Sequence, residues 1–133
     1  MIYIGIDTGT HTGVAVWDSV QRTFLCIDTL PIHRAMALVN QYREGELMVI
    51  FEDARQRKWY GMDSNEKLQG AGSVKRDSSI WEDFLKDLEI PYRAIPPMKG
   101  ATKLTSSYFK ALTGWTGRTN EHSRDAAMMV FGL

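Results

Sequence analysis

A chain of 133 residues, 44% hydrophobic and 24% charged, has the make-up of an ordinary globular protein and lacks the biases of disordered or fibrous chains. Its zero formal charge argues against an indiscriminate polyanion binder, and its length suits one domain spanning 1–133 with roughly two-thirds of its surface buried. One cysteine, Cys26, no signal-like start and no apolar run near the roughly 20 residues of a membrane span lead us to expect a cytoplasmic protein without membrane insertion.

Ile2 to Asp7 reads as a buried strand that turns polar at its end. After the turn-rich stretch from Thr8 to Thr12, Gly13 to Trp17 is a second strand, and Thr23 to Thr29, rich in β-branched and aromatic residues, is a third. Three consecutive strands predict an antiparallel meander. His33 to Arg43 sets Ala35, Leu38, Val39 and Tyr42 at helical spacing, which predicts a helix with one face on the sheet. Leu47 to Glu52 is a continuous apolar run, as for a central strand covered on both faces, and it too ends in an acid.

The stretch from Asp53 to Met62 is polar, basic and aromatic. Asp63 or Ser64 is a candidate cap for a long helix running towards Leu88. Gly70 and Gly72 interrupt it. Each costs about 1 kcal/mol relative to alanine, so they either admit close approach of a neighbour or break the helix in two. Ile90 to Ile95 is a fifth strand stopped by Pro96 and Pro97, followed by a helix over Ala101 to Leu112, a loop from Gly114 to Asn120 and a helix from Glu121 to Phe131. The predicted order is β-β-β-α-β-α-β-α-α, with no repeat or linker.

Asp7 and Glu52 end separate strands, and His122 and Asp125 are three apart, hence on one face of the last helix. Phosphodiester hydrolysis at neutral pH needs an activated water, neutralised phosphate charge and help for the leaving oxygen, which two divalent cations about 3.5–4 Å apart supply. Such ions need hard oxygen ligands converging from rigid elements. Asp7 and Glu52 meet that need if their strands are adjacent and parallel. Asp125 precedes an apolar run from Ala126 to Val130 that packs on the sheet, so it needs a partner there. Bland roles compete: Asp7 as a turn residue, Glu52 paired with Arg55, and Asp125 paired with Arg124 or capping the helix. Asp53 leaves its strand by the opposite face and reads as a surface or supporting acid, and His11 and His33 read as structural.

Charge is unevenly spread. From Pro91 onward six basic residues stand against two acidic ones, a local +4, so the first 90 residues carry −4. A basic face on a neutral protein suits phosphate contacts as well as it suits solvated surface.

Ile4 to Thr10 followed by Gly13-Val14-Ala15, then Val49 to Glu52, then His122 to Ala127, resembles in order and context the RuvC-type Holliday junction resolvases, in particular the short phage and prophage forms. The likeness runs over essentially the whole chain. It implies a ribonuclease H-like α/β fold, a five-stranded mixed sheet in order 3-2-1-4-5 with helices on both sides. It implies a homodimer that uses two Mg²⁺ ions, or Mn²⁺, to nick four-way or related branched DNA symmetrically, leaving 5′-phosphate and 3′-hydroxyl ends. Asp7 matches the aspartate that touches both metals, Glu52 the fourth-strand glutamate, and His122 and Asp125 the C-terminal pair, whose first member is aspartate in some relatives and histidine in others.

The resemblance also matches Lys99 and Lys103 to lysines near the scissile phosphate or backbone, with shortened spacing. Where the family sets an aromatic shortly after the glutamate, this chain has Arg55, and Trp59 and Tyr60 follow later. We expect Arg55, Arg57, Lys58, Trp59 and Tyr60, with Lys75, Arg76, Lys99 and Lys103, to contact DNA, since cations beside aromatics suit phosphate contact and base stacking. Three other readings stand beside this one: an actin-like ATPase, suggested by Asp7 to Thr10 but lacking the second domain; a YqgF-like nuclease acting on RNA; and a non-catalytic module that binds branched DNA.

Overall fold

A computed structural model describes residues 1–56, 65–97 and 104–133, without the side chains of 65–71. Five strands, β1 (Ile2–Asp7), β2 (His11–Asp18), β3 (Thr23–Pro31), β4 (Leu47–Glu52) and β5 (Tyr92–Ile95), form one sheet in the order β3-β2-β1-β4-β5. β1 pairs antiparallel with β2 and parallel with β4, β2 pairs antiparallel with β3, and β4 pairs parallel with β5. The meander, the mixed sheet and its strand order are those expected. The helices are α1 (Ile32–Gln41), α2 (Asn65–Asp87), α3 (Ser106–Thr113) and α4 (Glu121–Val130).

Strand alternation divides the core into two layers. Ile4, Ile6, Val14, Val16, Val49 and Phe51 point to one face, where Ala35 and Val39 of α1 and Trp81 and Leu85 of α2 cover them. Ala15, Trp17 and Ile50 point to the other, under Phe109 of α3 and Ala126, Ala127 and Val130 of α4. An aromatic cluster closes that second layer: Trp17 meets Phe24 edge-on with ring centroids 4.8 Å apart, and Phe24 stacks on Phe131 at 6.0 Å. Both faces of the central strands are covered, which is why β4 reads as an unbroken apolar run.

α4 lies unusually close to the sheet. A Cβ on Gly5 would run into the carbonyl oxygen of Ala126, and one on Gly13 into that of His122. Only glycine permits such an approach of backbone to backbone. On the helix side the matching residues are the small Ala126 and Ala127.

Several elements differ from expectation. α2 runs unbroken through residues 70–72, and among the described residues a Cβ on Gly72 would meet nothing, so neither a break nor a close neighbour among them accounts for that glycine. Burial of Trp81 and Leu85 supplies what the glycines withdraw. Its expected cap, Asp63 or Ser64, lies outside the described residues. β5 starts at Tyr92 rather than Ile90, because Glu89 turns with φ 55° and Pro91 has no N–H for the ladder. α3 begins after Thr105, whose side chain accepts from the Tyr108 N–H, and ends at Gly114 in the left-handed conformation with φ 75°. Among the described residues no helix is long and apolar enough to cross a membrane.

Candidate active site

Asp7 and Glu52 come together through strand register. β1 and β4 run parallel with Ile6 beside Phe51, so the next step sets Asp7 beside Glu52 at the carboxyl ends of two central strands. Both share the parity of Gly5 and Ile50 and point to the face that α4 covers. The Thr8 hydroxyl donates to the Glu52 carbonyl at 3.3 Å and ties the two strand ends together.

α4 brings the other two residues to that face. Across the β1–β2 ladder Asp7 pairs with Gly13, and it is Gly13 that admits the backbone of His122. The His122 ring therefore reaches Asp7, with Nδ1 3.0 Å from Oδ2. An ionised carboxylate only accepts, so in such a pair the ring nitrogen carries the proton. Asp7 is largely buried, its side chain 15% exposed, whereas that of His122 is 51% exposed. Asp125 lies one turn further along α4 and is half-buried.

Asn120, not Asp125, caps α4. Its side chain accepts from the Ser123 N–H at 2.9 Å while the Ser123 hydroxyl accepts from the Asn120 N–H at 3.0 Å, a reciprocal capping box. The Thr29 hydroxyl also donates to Asn120 Oδ1 at 2.8 Å, which moors the cap to β3. Arg124 donates through Nε to the Leu104 carbonyl at 2.8 Å and through Nη1 to the Thr119 hydroxyl at 2.9 Å, so it clasps both ends of the α3 excursion.

Asp53 is buried rather than at the surface, with 4% exposure. It leaves β4 by the opposite face, as expected, and there it holds Arg55: Nε lies 2.8 Å from Oδ1 and Nη2 2.9 Å from Oδ2. Arg55 Nη1 continues to Glu82 Oε1 at 3.3 Å, and the Tyr92 hydroxyl donates to Glu82 Oε2 at 3.0 Å. Burial pushes the Asp53 carboxyl up, but hydrogen bonds from the Arg55 side chain, its backbone and Gln56 outweigh it and leave the pKa below the ordinary value. For Glu82, too, burial raises while the Tyr92 and Arg55 hydrogen bonds lower, with a net depression. The bond to Asp53 is the largest influence on Arg55, whose pKa is raised.

Of the residues expected at DNA, Arg55 thus turns towards α2, away from the carboxylate face. Lys75 is half-exposed and Arg76 exposed. Both lie on the turn of α2 before Ser78, whose hydroxyl accepts from the Ala54 N–H at 3.2 Å, so this part of α2 passes the acid-bearing end of β4. Arg57, Lys58, Trp59, Tyr60, Lys99 and Lys103 lie outside the described residues. His11 and His33, read as structural, are both exposed.

The donor set is chemically suited to a hard divalent cation: three carboxylates and one imidazole, carried by the ends of β1 and β4 and by the helix that covers that sheet face. Among the described residues, however, no group of three or more such side chains is brought together as a metal site, while His122 and Asp7 are in contact. Sequence reasoning did not anticipate Gly13, Asn120 or Thr8 as supports. The Asn-x-x-Ser spacing at 120–123 is a readable cap signal, whereas the part played by Gly13 becomes visible only once α4 is packed.

No protein-family model matches the sequence, and no curated protein matches it in a sequence comparison. Among solved structures the chain is similar to T. thermophilus RuvC in complex with Holliday junction substrate: 17% identity and a TM-score of 0.60, over 95% of this chain and 88% of that one. With the sheet order β3-β2-β1-β4-β5, that likeness establishes for this chain the ribonuclease H-like α/β fold seen in RuvC.

Proposed function

We propose that the protein is a metal-dependent, structure-specific endodeoxyribonuclease that resolves four-way or related branched DNA by phosphodiester hydrolysis. The observation that carries this reading is the contact of His122 with Asp7 at 3.0 Å, beside a Glu52 aligned by register and beneath the helix that bears Asp125. The fold likeness to a protein solved with a Holliday junction supports it.

In this reading residues 1–133 act as one nuclease domain. Asp7, Glu52, Asp125 and His122 would hold two Mg²⁺ ions, with Mn²⁺ as a substitute. Bound there, the metal supplies an activated water and neutralises charge on the phosphate. Asp7, on a rigid central strand, fixes the centre of the site. His122, the more exposed member of its pair, would serve as a further ligand or orient the water. Arg57, Lys58, Trp59, Tyr60, Lys75, Arg76, Lys99 and Lys103 follow the DNA backbone and stack on unpaired bases. The protein works in the bacterial cytoplasm, encoded by a phage or prophage, and as a homodimer, because symmetric nicking of a junction needs two centres.

The test is cleavage of labelled four-way junctions, flaps and RNA–DNA hybrids with Mg²⁺, Mn²⁺ or EDTA. Junction cutting that requires metal and is lost in Asp7→Asn is the expected result. Cutting that persists in EDTA or in that variant overturns the mechanism, and preference for the hybrid redirects it to an RNA-acting nuclease. A second reading, a branched-DNA-binding module without catalysis, rests on the fold likeness to a protein solved with a Holliday junction and needs no metal. It predicts tight junction binding with no cutting under any metal.

A further inference from the structure

The peptide that carries Glu52 is held from three sides. From the residue after β1, the Thr8 hydroxyl donates to its carbonyl at 3.3 Å. From β5, the Ile95 carbonyl accepts the N–H of the next residue, Asp53, at 2.7 Å. From α2, Ser78 Oγ accepts the following N–H, of Ala54, at 3.2 Å. Behind this peptide, on the face opposite the carboxylates, stands a chain of charges: Asp53 to Arg55 at 2.8 and 2.9 Å, and Arg55 to Glu82 at 3.3 Å.

Closing a strand end does not require such a chain. A buried ion pair exchanged for apolar side chains of similar volume often leaves stability unchanged or raises it, because desolvating the charges costs so much. What a two-point arginine–carboxylate contact supplies, and an apolar contact does not, is direction: a planar fork on a planar acceptor fixes orientation as well as distance. Successive strand residues point oppositely, so any rotation of Asp53 about the strand axis turns Glu52 with it.

We propose that Asp53, Arg55 and Glu82 are positioning residues, a brace that fixes the direction of the Glu52 carboxylate and so sets affinity for a divalent cation. This rests on the metal-dependent reading of the site. It assigns Arg55 an inward task in place of DNA contact. Residues beyond a metal's own ligands that orient them typically contribute 10–100-fold in metal affinity.

The experiment is Mn²⁺ titration calorimetry on the full chain for wild type, Asp7→Asn, Asp53→Asn, Arg55→Gln, Arg55→Lys and Glu82→Gln. Thermal unfolding of each variant and four-way-junction affinity in EDTA are measured alongside. Arg55→Gln and Asp53→Asn are expected to weaken Mn²⁺ binding about 10–100-fold while junction affinity in EDTA stays within about threefold. Arg55→Lys keeps one contact to Asp53 and recovers part of the loss. Glu82→Gln removes only the charge of the outer link, keeps Asp53 paired and serves if the inner variants do not fold, with an expected loss of several-fold.

Arg55→Gln that binds Mn²⁺ like wild type but loses junction affinity overturns the brace and makes Arg55 a DNA contact. Variants that unfold earlier yet bind Mn²⁺ normally when folded also overturn it, because a purely structural role moves the midpoint alone. Wild type that binds Mn²⁺ no better than Asp7→Asn removes the metal reading itself, and the brace with it. Loss in Asp7→Asn without loss in the brace variants removes the brace only.

Discussion

The carbonyl of His122 rests against the Cα of Gly13, and Gly13 is the residue that pairs with Asp7 across the β1–β2 ladder. One glycine therefore sets how closely the helix bearing His122 and Asp125 approaches the strand bearing Asp7. The site depends on a residue with no side chain.

Gly13→Ala is expected to push α4 off the sheet. Overpacking a close contact costs about 1–3 kcal/mol, and here the obstacle is backbone, which yields less readily than a side chain. Chemical denaturation should show that loss, and Mn²⁺ titration should show weaker binding in the folded variant. Gly72→Ala, where a Cβ would meet nothing among the described residues, should instead stabilise the protein by about 0.5–1 kcal/mol.

Asn120→Ala removes the cap of α4 and its link to Thr29. A loss of about 1 kcal/mol in unfolding free energy is expected, with Asn120→Asp close to wild type because the carboxylate still accepts from the Ser123 N–H. Urea denaturation of the three proteins checks this.

His122→Asp should keep metal-dependent cleavage within about tenfold of wild type, since aspartate supplies a hard ligand at the same place. His122→Ala should fall by about 10²-fold or more, the usual contribution of a group that ligates or moves a proton at the reacting centre. Single-turnover cleavage at saturating Mg²⁺ separates the two.

Stability should decline in acid through Asp53 and Glu82. Both have folded pKa values below their unfolded ones, so the unfolded state binds more protons between the two values. Their contribution is fully present above pH about 4 and is lost as pH falls through the depressed folded values. Thermal midpoints measured from pH 6 downwards should drop below pH about 4, less steeply in Glu82→Gln.

Junction affinity should fall linearly on a log–log plot against salt, with a slope of about −0.9 for each phosphate neutralised. Lys75→Ala and Arg76→Ala should each flatten it by about one. Fluorescence anisotropy across a salt series in EDTA reads this directly, and unchanged slopes would take that turn of α2 out of the DNA contact.

The strands, helices and acid positions were legible in the chain because each rests on local periodicity: Ile4 and Ile6 alternate, Ala35 and Val39 repeat at helical spacing, and Asp7 and Glu52 interrupt apolar runs at their ends. Likeness to RuvC-type sequences supplied the sheet order that periodicity alone cannot. Only tertiary structure decided which side chains meet. From sequence Arg55 reads as a DNA contact or a partner of Glu52; strand alternation and the approach of α2 give it to Asp53 and Glu82. Asp125 precedes an apolar run and reads as a possible cap, but Asn120 takes that place because its side chain reaches both the Ser123 N–H and the Thr29 hydroxyl of β3. Gly5 and Gly13 carry no pattern of their own. Their part is steric and is defined by a helix more than 100 residues away in sequence, a relation that no local window contains.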